Sequence, residues 1–159
     1  MSTCTFIASD HPLAEAAPVR DYPTKINIDT GTIDDGGADD NYFLHLFEDV
    51  QDYTDKKYGV YLEWDYTEGR AEQLIAYMKN ALQDTASIEL WHVWLMDYYE
   101  WEDRPVIHKQ TVFIDELTAK HIREMDEAEI WNTLDKLYPD RPSFYCLKIK
   151  NRNCTRRNA

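Results

Sequence analysis

The chain has 159 residues, with 17 Lys and Arg against 30 Asp and Glu, a formal net charge of −13. Ordinary nucleic-acid binding is excluded by that sign, because phosphate contacts need clustered positive charge, and attraction to an anionic membrane surface is disfavoured for the same reason. Aromatic residues make up 13%, too many for a globally disordered chain, so the composition describes one acidic, aromatic-rich globular domain.

No apolar run precedes the first basic residue, Arg20, so a secretory signal is not expected. The longest apolar-looking stretch, residues 90–96, is interrupted by His92 and falls far short of the roughly 20 residues a membrane span needs. Cys4, Cys146 and Cys154 form no Cys-x-x-Cys pair. Reduced thiols in a cytoplasmic protein are the expectation.

Residues 1–8 alternate and read as a strand. Residues 10–23 carry Pro12, Pro18 and Pro23 and read as a surface excursion. Residues 25–29 place Ile26 and Ile28 on one face of a second strand. The run Asp34-Asp35-Gly36-Gly37-Ala38-Asp39-Asp40 is the strongest turn signal, since glycine permits positive φ and aspartate bonds its own backbone. Its acids come as adjacent pairs without the alternate spacing and closing Glu of an EF-hand, which makes it a solvated turn rather than a calcium loop. Strands are expected over 42–47 and 58–66.

Ala71, Leu74, Ile75, Met78 and Leu82 recur at helical spacing and predict a helix over 68–83, capped by Thr67, with Arg70, Glu72, Lys79 and Asp84 on its other faces. Residues 88–96 are apolar on both alternating faces, as in a central strand covered on two sides. Residues 106–114 give the next strand, and the nine residues between, 97–105, suit a long hairpin loop. Asp115 is expected to cap a second helix over 116–125 with Leu117, His121, Ile122 and Met125 inward. Asp126 and Glu129 suggest a short third helix carrying Ile130 and Trp131, and a strand over 144–149 follows. The order predicts an α+β fold, a mostly antiparallel sheet with two main helices packed on it. One domain over 1–151 is expected, with 152–159 a basic, disordered tail.

Charge is segregated. Residues 29–55 hold nine acids and no Lys or Arg, whereas residues 148–157 hold five basic groups and no acid.

Chemistry-bearing motifs are few. No phosphate-cradling glycine loop, Gly-x-Ser-x-Gly or His-Glu-x-x-His occurs. His11, His45, His92, His108 and His121 make no local metal signature, so no metal and no cofactor is assigned. Cys4-Thr5-Phe6-Ile7 has the form of an N-terminal nucleophile opening, but that chemistry needs the nucleophile at residue one. A buried strand cysteine is the expected reading, and no catalytic residue is assigned. His92, Trp94 and His108 are the candidates for a pocket.

The richest segment is residues 89–103. Tyr98, Tyr99 and Trp101 fall in a predicted loop among Glu100, Glu102 and Asp103. Large rings anchor protein interfaces and acids around them favour a basic partner, so these six residues form the expected partner-binding surface.

The runs Cys4-Thr5-Phe6-Ile7-Ala8-Ser9 with Pro12-Leu13, Glu89-Leu90-Trp91-His92-Val93-Trp94-Leu95 and Arg104-Pro105-Val106-Ile107-His108 resemble a family of small, acidic, uncharacterised bacterial proteins. The resemblance implies a bacterial, cytoplasmic protein and carries no catalytic residue to transfer. The leading expectation is a non-catalytic protein-binding module, of which a toxin-immunity protein neutralising a basic partner is the concrete version. The alternative is a small enzyme or ligand-binding protein with a pocket of Trp, Tyr and His. Oligomeric state is not legible.

Overall fold

The computed structural model describes residues 3–95, 105–131 and 142–152. Its strands are β1 (Thr3–Ser9), β2 (Lys25–Asn27), β3 (Thr32–Asp34), β4 (Phe43–Leu46), β5 (Tyr58–Glu63), β6 (Ser87–Trp94), β7 (Val106–Phe113) and β8 (Ser143–Lys150). Its helices are α1 (Glu68–Ala81) and α2 (Ala119–Asp126). Six strands form one sheet in the order β4-β5-β1-β6-β8-β7, and β2 pairs with β3 alone. All neighbours in the large sheet are antiparallel except β7 and β8, so this is an α+β fold.

Period-two alternation divides the sheet residues between two cores. On the helical side Ile7, Val60, Ile88, Leu90, Leu147 and Ile149 pack with Ala71, Leu74 and Met78 of α1 and Ala119 and Ile122 of α2. On the other side Phe6, Ala8, Trp91, Val93, Phe144 and Cys146 pack with Phe47, Val50 and Ile130. β6 is apolar on both faces because it contributes to both cores. Val50 belongs to the 3-10 turn Glu48–Asp52, which lies on β5 where Gly59 presents no side chain.

The expected hairpin between β6 and β7 does not form. β8 lies between them, antiparallel to β6 and parallel to β7. Composition explains the exchange. β8 supplies apolar residues to both cores, whereas β7 offers His108 and Gln110 on one face and Lys109 and Thr111 on the other, a pattern suited to an edge. The parallel pair is joined by a chain that passes through α2, the crossover such a pair requires.

Three further expectations are corrected. Asp115 does not cap a helix. Residues Ile114–Glu116 make one 3-10 turn, and α2 begins after Thr118 with a reciprocal cap in which the Thr118 backbone N–H donates to His121 Nδ1 at 3.0 Å. His121 is thereby drawn to the helix end rather than into the core. Residues 127–131 are not helical, although Ile130 is buried, and the rest of the expected third helix lies outside the described residues. The second strand ends at Asn27, whose side chain accepts from the backbone N–H groups of Asp29 and Thr30. β3, which completes its hairpin, is not among the strands expected from sequence.

Arg70, expected on a face of α1 away from the apolar stripe, is a further correction. It is fully buried. Its Nε donates to Ala38 O at 2.9 Å, and its Nη1 donates to Asp65 O at 2.7 Å and pairs with Asp35 Oδ2 at 3.0 Å. The guanidinium thus ties the acidic turn to the first turn of α1. Asp39 lies over Gly69 there, so closely that a side chain at Gly69 would collide with its carboxylate.

Arg152, the first residue of the expected tail, is held rather than free. It pairs with Asp115 at 2.9 Å and with Glu116, and its guanidinium carbon sits 4.0 Å above the Phe113 ring. Residues 153–159 lie outside the described residues. Among the described residues no helix is long and apolar enough to cross a membrane.

Candidate functional site

Tyr98, Tyr99, Glu100, Trp101, Glu102 and Asp103 all lie outside the described residues. The pocket candidates are described. Antiparallel and parallel registers place Thr5, His92, Tyr145 and His108 in one row across four strands on the helical face. His92 is buried, with Nδ1 2.9 Å from Thr5 Oγ1, and burial holds its pKa below the usual histidine value. His108 stacks on Tyr145 with ring centroids 5.1 Å apart, and its Nε2 lies 3.1 Å from Ser143 Oγ. Tyr145 donates its hydroxyl to Glu129 O at 2.6 Å. Trp94 stands apart from this row, edge-on to Trp131 with centroids 6.0 Å apart.

The structure therefore brings His92 and His108 to one face, but it separates them by Tyr145 and occupies each in a hydrogen bond. The adjacent cavity, of about 220 Å³, is lined by Gln110, His121, Glu124, Met125 and Tyr145 among others, and His92 and His108 are not part of its wall. Cys4 is a buried strand residue whose thiol is pushed up to about 12 by desolvation, and burial does the same to Cys146. Such thiols stay protonated at neutral pH and are poor nucleophiles. Among the described residues no group of three or more His, Cys, Asp or Glu is placed to hold a metal ion.

A surface that sequence reasoning passed over lies at the other edge of the sheet. The β2–β3 hairpin stands off the body as an arm. Ile26 and Ile33 face one another across its two strands and are 71% and 69% exposed, and Val19 and Ile28 beside it are 92% and 90% exposed. The tip turns at Gly31 with φ +66°, where a Cβ would be strained. The base is well anchored. Tyr22 donates to Asp40 at 2.5 Å, Asp34 and Asp35 accept from the N–H groups of Gly36 and Gly37, and Asp35 pairs with buried Arg70. The Arg70 guanidinium and the Gly37 N–H hold the Asp35 carboxyl below the usual carboxylate range.

Between the arm and the β4–β5 edge lies a cavity of about 350 Å³. Its wall combines the rings of Tyr22, Phe43 and Trp64 with the carboxylates of Asp35, Glu63 and Asp65. Asp35 is engaged by Arg70 and Glu63 by His45 at 2.7 Å, so a cationic side chain there would meet the Asp65 carboxylate and the rings. The signal for this surface was present in the alternating Ile26 and Ile28 of an acid-rich segment. Such alternation reads as an ordinary strand, because alternation alone does not say whether the apolar face is covered.

The chain matches no protein-family model, and no curated protein or solved structure matches it either.

Proposed function

We propose that this chain is a cytoplasmic, non-catalytic protein-binding module that takes a basic partner, in the manner of a toxin-immunity protein. The observation that carries the reading is the arm: a ribbon of isoleucines standing in water among carboxylates. An isolated two-stranded hairpin is marginal in water, and one that leaves its apolar pairs uncovered gains little from its own contacts. Residues 18–41 carry six acids against Arg20 and Lys25, so the apolar ribbon is framed by negative charge. A partner with an apolar patch rimmed by Lys or Arg fits that frame, and a basic side chain from it fits the aromatic and acidic cavity at the arm's base. The acids would steer the encounter and the rings and isoleucines would hold the complex.

The test is affinity capture from a lysate on the wild-type chain and on an Ile26→Ser, Ile33→Ser double variant, followed by binding measurements with the purified partner. Both substitutions fall on exposed positions, so the variant should melt as the wild type does. A basic protein kept by the wild type, lost by the variant and bound more slowly as salt rises supports the reading. Equal retention by the variant, or a partner that is acidic, overturns it. Trp101→Ala in the same assay tests the run Tyr98-Tyr99-Glu100-Trp101-Glu102-Asp103 as a second contact.

A further inference from the structure

On the sheet face opposite the helices, a cleft of about 300 Å³ opens beneath the loop that follows the 3-10 turn Glu48–Asp52. That volume is at the lower end of the range for small-molecule sites. Register defines its floor. Trp91, Cys146 and Lys109 form one cross-strand row, and Glu89, Lys148 and Thr111 form the next. Lys109 and Lys148 are therefore diagonal neighbours on adjacent strands, within reach of one ligand group.

The charges of this cleft are not all spent. Lys56 is engaged by Asp10 Oδ2 at 3.0 Å and Ser87 Oγ at 3.2 Å. Glu89 faces Lys148 across the ladder, yet it accepts from Thr54 Oγ1 at 2.5 Å and from Trp91 Nε1 at 3.0 Å instead. Both bonds end on Glu89 Oε1, so Oε2 has no hydrogen bond among the described residues. Lys109 and Lys148 have no ion-pair partner among the described residues.

Three lysines and three acids line the cleft, so it is formally neutral, and with Lys56 and Asp10 paired to each other the remaining charges are separated. Glu89 on β6 and Asp55 on the overlying loop stand to one side, and Lys148 and Lys109 follow on β8 and β7. A neutral cleft has no net attraction for a simple anion within a chain of charge −13. A dipolar cleft does discriminate in favour of a ligand with the matching dipole. Ile107, 46% exposed on the same face, offers an apolar contact beside the lysines.

We propose that this cleft binds a small zwitterion of the α-amino-acid class, its carboxylate at Lys109 and Lys148, its ammonium at Glu89 and Asp55, and its side chain against Ile107. The site is separate from the arm and does not depend on it.

The common amino acids would be titrated one by one into the full chain while the backbone amide signals of Lys109 and Lys148 are followed by NMR. At least one should give saturable shifts at both positions. Its analogues lacking the amino group or the carboxylate should each bind about tenfold more weakly or worse, since each loses a charge-assisted contact. A Lys109→Gln, Lys148→Gln variant that melts like the wild type should lose a similar factor, and Lys120→Gln, on α2, should lose none. Absence of saturable shifts for every amino acid overturns the proposal. Equal binding of either truncated analogue, or unchanged binding to the double variant, overturns it as well.

Discussion

Gly59→Ala probes how closely the 3-10 turn is seated on the sheet. A Cβ at this position would sit 2.8 Å from Val50 Cγ2 and 2.9 Å from Val50 Cβ, about 0.7 Å inside a normal carbon–carbon contact of about 3.5 Å. It would also lie 3.3 Å from Ile7 O, which belongs to the neighbouring strand and has no room to retreat. The turn must move instead. Phe47 and Tyr53 flank that turn with ring centroids 4.8 and 5.6 Å from Phe6, and Phe6 stacks on Trp91 at 6.1 Å. Overpacking of this kind costs about 1–3 kcal/mol. The smaller unfolded-state entropy of alanine returns about 0.4–1 kcal/mol. A net loss of about 1–2 kcal/mol is expected, or about 2–8 °C in Tm for a domain of this size. Urea unfolding followed by tryptophan fluorescence is the assay, with the midpoint lowered at unchanged slope. Val50→Ala removes Cγ2 but keeps the Cβ, so it should cost less in the Gly59→Ala background than in the wild type, by about 0.5 kcal/mol or more of coupling. A neutral or stabilising Gly59→Ala, or strict additivity of the pair, would refute the seating described here.

Leu74→Ala, at a position 1% exposed beneath α1, should cost about 2–5 kcal/mol in the same assay, and a neutral result would remove α1 from the sheet. Asp35 should make stability depend on pH. Its folded pKa is depressed, so its contribution is present above the unfolded value of about 3.9 and is lost as pH falls through the lower folded value. Asp35→Asn should therefore narrow the difference between urea melts at pH 7 and pH 3, and an unchanged difference would show that the Arg70 pair does not titrate with folding. Truncation after Asn151 removes the Arg152 contacts and should cost about 1 kcal/mol, less in high salt, because those partners are largely exposed. A loss of several kcal/mol, or one insensitive to salt, would show a deeper docking.

The elements that were legible are those whose burial leaves a local pattern. β6 reads as central because Ile88 and Leu90 on one face and Trp91 and Val93 on the other are all apolar, and α1 reads from the stripe of Leu74 and Met78. What the sequence hid depends on distant partners. Arg70 looks like a solvent-facing charge because its ligands, Ala38 O and Asp35, lie on a turn more than thirty positions earlier. Periodicity says nothing about which strand β8 chooses, and Asp115 and Thr118 are equally good caps until His121 decides between them. The candidate sites were legible only in part. His92 and His108 do share a face, but Lys109 and Lys148 become neighbours only through the parallel ladder, and the arm's isoleucines differ from core residues only by what fails to cover them.

The interleaving of β8 between β6 and β7 sets an order on how the chain can be assembled during synthesis. β1, β5 and β6 can zip together as soon as residue 94 has left the ribosome. β7 cannot join them, because its seat is defined by a strand that has yet to be translated. Until residues 143–150 emerge, β6 presents an open, apolar rim with Trp91 and Leu90 uncovered, the sort of rim that recruits strands from other molecules. Slow translation or premature termination between residues 94 and 143 should therefore yield aggregation rather than a smaller folded product. The same interval is where a holding chaperone would have the most to shield.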